Sequence, residues 1–180
     1  GVAGPLIEAG VASLVIANRT PAAAAALAAA VDAGADAPTA DASAAGVSAG
    51  AAPMAGTSEA RRTARAVPRA CRFEALEPGF DIVVNATSTG LGEVRLPIAG
   101  AVFAGAALAY DMFYAPSATA FMAQAAAAGC ARASDGLGML VEQAAESFLL
   151  WRGVRPLTAP VYEALRAELD AEAGVRPTGH

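Results

Sequence analysis

The stretch SLVIANRTPAAAAALAAAV, Ser13 to Val31, decides the fold class. Ser13 to Ala17 is a short apolar run with Val15 and Ile16 at its centre and no polar alternation, the pattern of a buried parallel strand. It runs into Asn18-Arg19-Thr20. Thr20 is a residue type that caps helices, and Pro21 suits a first helical position because its φ is already helical and it has no N–H to leave unpaired. Pro21 to Val31 then reads as an alanine helix. Upstream, Val2 to Glu8 has helical character and Ala9-Gly10 stops it. Helix, tight turn, strand, cap and helix is the rhythm of a doubly wound parallel sheet, so the class is α/β.

The rhythm breaks between Asp32 and Ala66, where Ala, Gly, Ser, Thr, Pro and Asp dominate. Such a segment buries too little apolar surface to offset its ordering entropy, and residues 32–66 are expected to be a disordered insertion. Arg61, Arg62 and Arg65 at its end are expected to be solvated. Order resumes near Ala70, with a short helix over Phe73 to Leu76. Asp81 to Asn85 (DIVVN) and Ala106 to Met112 (AALAYDM) read as further buried strands, Thr119 to Ala128 as a helix stopped by Gly129, and Ala131 to Ser134 as a short strand. Met139 to Arg152 is an amphipathic helix with Leu140, Ala144, Phe148 and Trp151 near one face. A last helix starts at Thr158-Ala159-Pro160 and runs through Leu169, with a fraying tail after Ala173.

Composition removes several kinds of chemistry. All 12 basic residues among the 180 are arginine, so there is no P-loop, Schiff-base or acid–base lysine. The single histidine is His180, which argues against a Ser-His-Asp triad and a histidine-based zinc site; no metal site and no catalytic residue are assigned. A net charge of −5 argues against a nucleic-acid partner. Cys71 and Cys130 have no CxxC spacing and are expected to be buried, reduced thiols. The 56% hydrophobic content is inflated by 52 alanines, and no run of bulky apolar residues is long enough for a transmembrane span. The N-terminus has no charged region of the kind that opens a signal peptide. Gly1 falls inside what reads as a helix, and the chain is expected to be a fragment.

Ligands of an open parallel sheet bind beyond the carboxyl ends of its strands. Here those ends carry Asn18-Arg19-Thr20, Asn85-Ala86-Thr87-Ser88, Asp111-Met112-Phe113-Tyr114 and Asp135-Gly136. At the first of them an NAD-binding sheet would place a carboxylate for the ribose hydroxyls. Asn18 followed by Arg19 instead offers a fixed cation with planar donors for a 2′-phosphate. A helix cap beside a surface arginine explains the same three residues equally well.

Four motifs together resemble the cofactor-binding, C-terminal half of the shikimate dehydrogenase family. They are IANRT (Ile16 to Thr20), NATSTGL (Asn85 to Leu91), YDMFY (Tyr110 to Tyr114) and DGLGMLVEQAAESFLLWRGVRP (Asp135 to Pro156). The resemblance implies an incomplete Rossmann-like doubly wound parallel sheet lacking its first strand, plus C-terminal helices, over residues 1–180 as a single cofactor-binding domain. It implies NADP-dependent, reversible reduction of 3-dehydroshikimate to shikimate in aromatic amino-acid biosynthesis. Asn18, Arg19 and Thr20 with Pro21, Ala22 and Ala23 would then hold the adenosine 2′-phosphate. Thr87 and Ser88 would lie along the cofactor, Met112 near the nicotinamide, and Gly136 would approach it with its backbone. Tyr114 and Gln143 would reach polar groups of the substrate.

The family's GxGGA phosphate loop and its catalytic lysine with partner aspartate have no counterpart among these residues. Thr119-Ala120-Phe121 stands where the family has Thr-Pro-Phe. The resemblance further implies a cytoplasmic protein with a small-molecule substrate, no membrane association, and room for a homodimer. The competing readings are a non-catalytic nucleotide-binding module and a degraded, inactive copy.

Overall fold

The computed structural model describes residues 2–34, 66–87 and 95–175. They fall in two compact units, Gly1–Ala75 and Leu76–His180, and each is described by itself. The strands are all parallel and lie in two small sheets, as an α/β chain of the expected class requires.

The first unit runs α1 (Ala3–Glu8), β1 (Val15–Ala17), α2 (Pro21–Asp32), β2 (Arg69–Cys71) and one 3₁₀ turn, Phe73–Ala75. β1 pairs with β2 with Ile16 opposite Ala70. The ladder is extended by Arg69 N–H to the Leu14 carbonyl (2.9 Å) and Asn18 N–H to the Cys71 carbonyl (3.3 Å). α2 packs on both strands and buries Ala24, Ala28 and Val31, which share a face at four- and three-residue spacing. β2 was not expected, since Arg-Ala-Cys has neither alternation nor a β-branched residue; pairing with β1 overrides weak propensity there. Of the expected insertion, residues 35–65 lie outside the described residues. Its two ends are corrected: Asp32 is the last residue of α2, and Ala66 is buried. The helical ladder carries through Asp32, with Ala33 N–H bonded to the Ala29 carbonyl at 3.0 Å.

The second unit runs β3 (Ile82–Asn85), a 3₁₀ turn Gly100–Val102, β4 (Leu108–Asp111), α3 (Ala120–Ala127), β5 (Ala133–Ser134), α4 (Leu137–Arg152) and α5 (Ala159–Val175). The sheet order is β3-β4-β5, with Asn85 opposite Asp111 and Tyr110 opposite Ser134. Its core is Leu96, Phe103, Ala109, Phe121 and Ala125, and the Phe103 and Phe121 rings meet edge to face at 5.4 Å. Buried Gln124 on α3 donates through Nε2 to the Leu96 and Ile98 carbonyls, both at 3.1 Å, which holds the 95–98 segment against the helix.

Three details differ from expectation, two in this unit and one that involves both units. α4 starts at Leu137, and its buried face is Leu137, Val141 and Ala145; Leu140, Ala144, Phe148 and Trp151 lie on exposed parts of the helix. α5 continues to Val175, six residues past Leu169, because Asp170-Ala-Glu-Ala contains good helix formers and no stop. Both cysteines are free but only partly buried. Cys130 donates to the Ala106 and Arg132 carbonyls at 3.4 and 3.2 Å. Burial pushes the pKa of the Cys71 thiol up, against the opposing pull of Arg69. Among the described residues no helix is long and apolar enough to cross a membrane.

Phe103 is fully buried at the centre of the second unit's core. Phe103→Ala is expected to cost about 3–5 kcal/mol of that unit's stability. The check is the shift of the urea midpoint at unchanged slope.

Candidate functional site

In the first unit the turn from β1 to α2 carries the motif Asn18-Arg19-Thr20. Thr20 sits at the N-cap, but its side chain makes no cap hydrogen bond. The turn is held instead by Asn18, whose Oδ1 accepts from Thr20 N–H at 2.8 Å. Arg19, Thr20, Pro21, Ala22 and Ala23 are all exposed. Among the described residues the Arg19 guanidinium makes no ion pair. Asn18 therefore serves the backbone, while the cation and the start of a twelve-residue helix face solvent.

In the second unit three strand ends meet through a buried polar network. Asp111, at the end of β4, is 1% exposed. Its Oδ1 accepts from Asn85 Nδ2 (3.0 Å) and Phe113 N–H (3.2 Å), and its Oδ2 accepts from Thr119 Oγ1 (2.6 Å). Thr119 Oγ1 in turn caps α3 by accepting from Met122 N–H at 3.2 Å. Asn85 Oδ1 accepts from both the N–H (3.1 Å) and the hydroxyl (2.7 Å) of Thr87. Met112 N–H bonds to the Asn85 carbonyl at 2.9 Å.

The third strand end is tied in by backbone contact. Gly136 donates its N–H to the Phe113 carbonyl at 3.0 Å. A Cβ at position 136 would lie 2.2 Å from the Met112 carbonyl oxygen. The glycine is required by the protein's own backbone, whatever else approaches it; its φ of −84° would suit any residue. Next to it Asp135 is buried and accepts from Leu137 N–H (3.3 Å) and from Arg166 of α5 (2.6 Å). That hydrogen bond raises the Arg166 pKa despite partial burial, and the guanidinium also lies over the Tyr162 ring at 5.9 Å. A cleft of about 280 Å³ opens beside this pair, lined by Ser117, Met122, Ser134, Asp135, Tyr162 and Arg166 among others. Tyr110, on β4, has its phenol pushed up, first by burial and further by the Asp135 carboxylate, with the Met139 backbone opposing.

The structure thus gathers Thr87, Met112, Tyr114 and Gly136 along the carboxyl ends of β3 to β5. Tyr114 is 39% exposed and stacks on Phe113, with ring centroids 6.2 Å apart. Gln143 is exposed on α4, two turns beyond Gly136, and its backbone carbonyl accepts from Ser147 Oγ at 2.9 Å. Ser88 lies outside the described residues. Asn18 to Ala23 belong to the first unit and are described within it.

Sequence reasoning placed Asp111 and Asp135 only as polar strand ends and missed the bonds from Asp111 to Asn85 and Thr119 and the Asp135–Arg166 pair. One signal was present: Asp111 shares a strand face with Ala109, so a carboxylate occupies a position of buried parity.

Comparison with known proteins agrees with these motifs. Residues 136–166 match the model of the shikimate 5′-dehydrogenase C-terminal domain. The chain is 45% identical over 168 residues, 93% of its length, to the shikimate dehydrogenase (NADP(+)) of Methylobacillus flagellatus. It is 42% identical over 171 residues, 95% of its length, to that of Dechloromonas aromatica. The chain is thus similar to NADP-dependent shikimate dehydrogenases along nearly all of its length. It spans about half the length of these curated relatives, 51% and 52%.

Solved structures give the same fold. An Ael1 enzyme from Pseudomonas putida is 40% identical with a TM-score of 0.66, covering 89% of this chain and 48% of that one. The ligand-free 5-ketofructose reductase of Gluconobacter sp. strain CHM43 is 26% identical with a TM-score of 0.64, covering 93% of this chain and 51% of that one. The family match over Gly136 to Arg166 takes in the segment where α4 meets β4.

Gly136→Ala is expected to destabilise the second unit by about 3 kcal/mol, the upper end for overpacking, because the clash is with backbone that cannot rotate away. Thermal unfolding checks it, with Gly138→Ala as the comparison, since a Cβ there meets only the Tyr162 ring at an ordinary 3.8 Å.

Proposed function

We propose that the chain is the cofactor-binding half of an NADP-dependent shikimate dehydrogenase, acting in the reversible reduction of 3-dehydroshikimate to shikimate. The observation that carries this reading is the 45% identity to an NADP-dependent shikimate dehydrogenase along nearly the whole chain. The chemistry of the residues supports it. Arg19, just before α2, is an exposed cation with no ion pair among the described residues, and a 2′-phosphate is the group that such a site discriminates. Asn18 and Thr20 set the turn, and Pro21, Ala22 and Ala23 form the helix start that receives the phosphate. Thr87 and Ser88 lie along the cofactor, and Met112 and Gly136 flank the nicotinamide. When bound, NADPH supplies the hydride. Tyr114 offers a hydroxyl and Gln143 an amide, donors suited to a polyhydroxylated acid. The proposed setting is cytoplasmic, with a small-molecule substrate.

In the chain joined to the portion of the Methylobacillus relative that it does not span, Arg19→Ala should weaken NADPH binding and barely change NADH. A charge-assisted hydrogen bond contributes about 1.5–3 kcal/mol, so the expected loss is roughly tenfold to a hundredfold. Equal losses for both cofactors would remove the 2′-phosphate role.

The 180 residues alone should show no turnover when NADPH formation is followed with shikimate and NADP⁺. They contain no lysine, and every role proposed for them is binding. General acid–base help is typically worth about 10²–10⁴-fold. Turnover lost on Tyr114→Phe would show that the chain carries its own proton-transfer group.

A further inference from the structure

We infer that Asp111 is a positioning residue that couples the cofactor-side turn after β3 to the Tyr114 segment after β4. The inference rests on the functional reading above and concerns how its two ligand-facing segments are held in register. One oxygen of Asp111 accepts from two places. Asn85 Nδ2 reaches it from the end of β3, and Phe113 N–H from the residue before Tyr114. The donation fixes the Asn85 amide the right way round, so that its oxygen meets both polar groups of Thr87. The other carboxylate oxygen is held by Thr119, which caps α3. Thr87 and Tyr114 therefore hang from the same buried carboxylate, 1% exposed, although they are far apart in sequence.

The residue type matters as much as the position. Three donors converge on Asp111, and a carboxylate is an acceptor at both oxygens. No cation is bonded to it among the described residues, so neutral donors alone hold the charge. An asparagine of the same shape has one acceptor oxygen and would turn an N–H₂ toward the Thr119 hydroxyl. The Thr119 hydroxyl then loses its acceptor and the charge that strengthens every bond to this carboxylate is gone, so all three arms weaken and the segments can move independently.

Amide hydrogen exchange on the 180-residue chain reads the coupling. The amides of Thr87, Phe113 and Met122 report its three arms. Asp111→Asn should accelerate all three by about tenfold or more, through local opening. The Ala109 amide, bonded to the Arg132 carbonyl in the β4–β5 ladder, should change by less than about threefold. A second variant, Asn85→Ala, removes one donor from the shared oxygen and should accelerate Phe113 as well as Thr87.

NADP⁺ titration followed by amide chemical shifts gives the functional readout. Asp111→Asn should weaken binding about tenfold, the size of one hydrogen bond's contribution. Acceleration confined to Phe113, uniform acceleration including Ala109, no response of Phe113 to Asn85→Ala, or unchanged NADP⁺ affinity would each overturn the inference. Failure of the unaltered chain to bind NADP⁺ would defeat the functional reading and with it the positioning role. The exchange pattern would still decide whether Asp111 couples the two segments.

Discussion

The carbonyl of Met112 occupies the space that any side chain at position 136 would need. That single backbone-to-backbone approach sets how the end of β4 meets the start of α4. Gly136 N–H adds a bond to the Phe113 carbonyl, so two successive peptide units of the β4 end are engaged. The first turn of α4 is thereby fixed, and Leu137, Val141 and Ala145 follow on the buried face at four-residue intervals. The larger apolar residues Leu140, Phe148 and Trp151 are left on exposed parts of the helix. Hydrophobicity alone would have chosen them as the core face. The close approach chooses otherwise, because a helix pinned at its first residue cannot rotate to bury its greasiest side.

The same edge of the sheet holds two buried carboxylates, satisfied in different ways. Asp135 is paired with Arg166, which ties α5 to the start of α4, and it also receives the Leu137 N–H. Among the described residues Asp111 has only neutral donors. A buried charge is tolerated only when its lone pairs are used, and here both sites use the backbone N–H two residues downstream as one donor. Losing Arg166 would leave Asp135 charged and under-satisfied, which is why such a pair is costly to break even where its net contribution is small.

Much of the fold could be read from the sequence, because the parallel strands are short apolar runs followed by helix-start residues. Ser13 to Thr20 and Asp81 to Thr87 each placed a strand to within two residues. Arg69 to Cys71 could not be read, since that strand exists only through its partner β1. The face of α4 was hidden because a hydrophobic stripe reports affinity for apolar surroundings, not which surroundings the tertiary contacts supply. Gly136 was legible as a close-approach position, but the approaching group is the Met112 carbonyl. Asp111 sat in the strand pattern at a buried parity and was read only as a polar strand end. Its partners, Asn85 and Thr119, come from elements that only the fold brings together.

The polar residues at the strand ends divide by what their side chains are already doing. Asn18, Asn85, Asp111, Thr119 and Asp135 spend their side-chain oxygens on partners inside the protein, the backbone, one another, Thr87 or Arg166. Arg19, Tyr114 and Gln143 are exposed. Among the described residues their side chains carry no hydrogen bond or ion pair. A group that recognises a ligand must have donors or acceptors left over after folding, because a bond already satisfied internally has to be broken before it can be remade. By that criterion, within each unit taken by itself, the first set builds the strand ends and the second has capacity left for a ligand. Arg19, Tyr114 and Gln143 are also the residues proposed for the 2′-phosphate and the substrate.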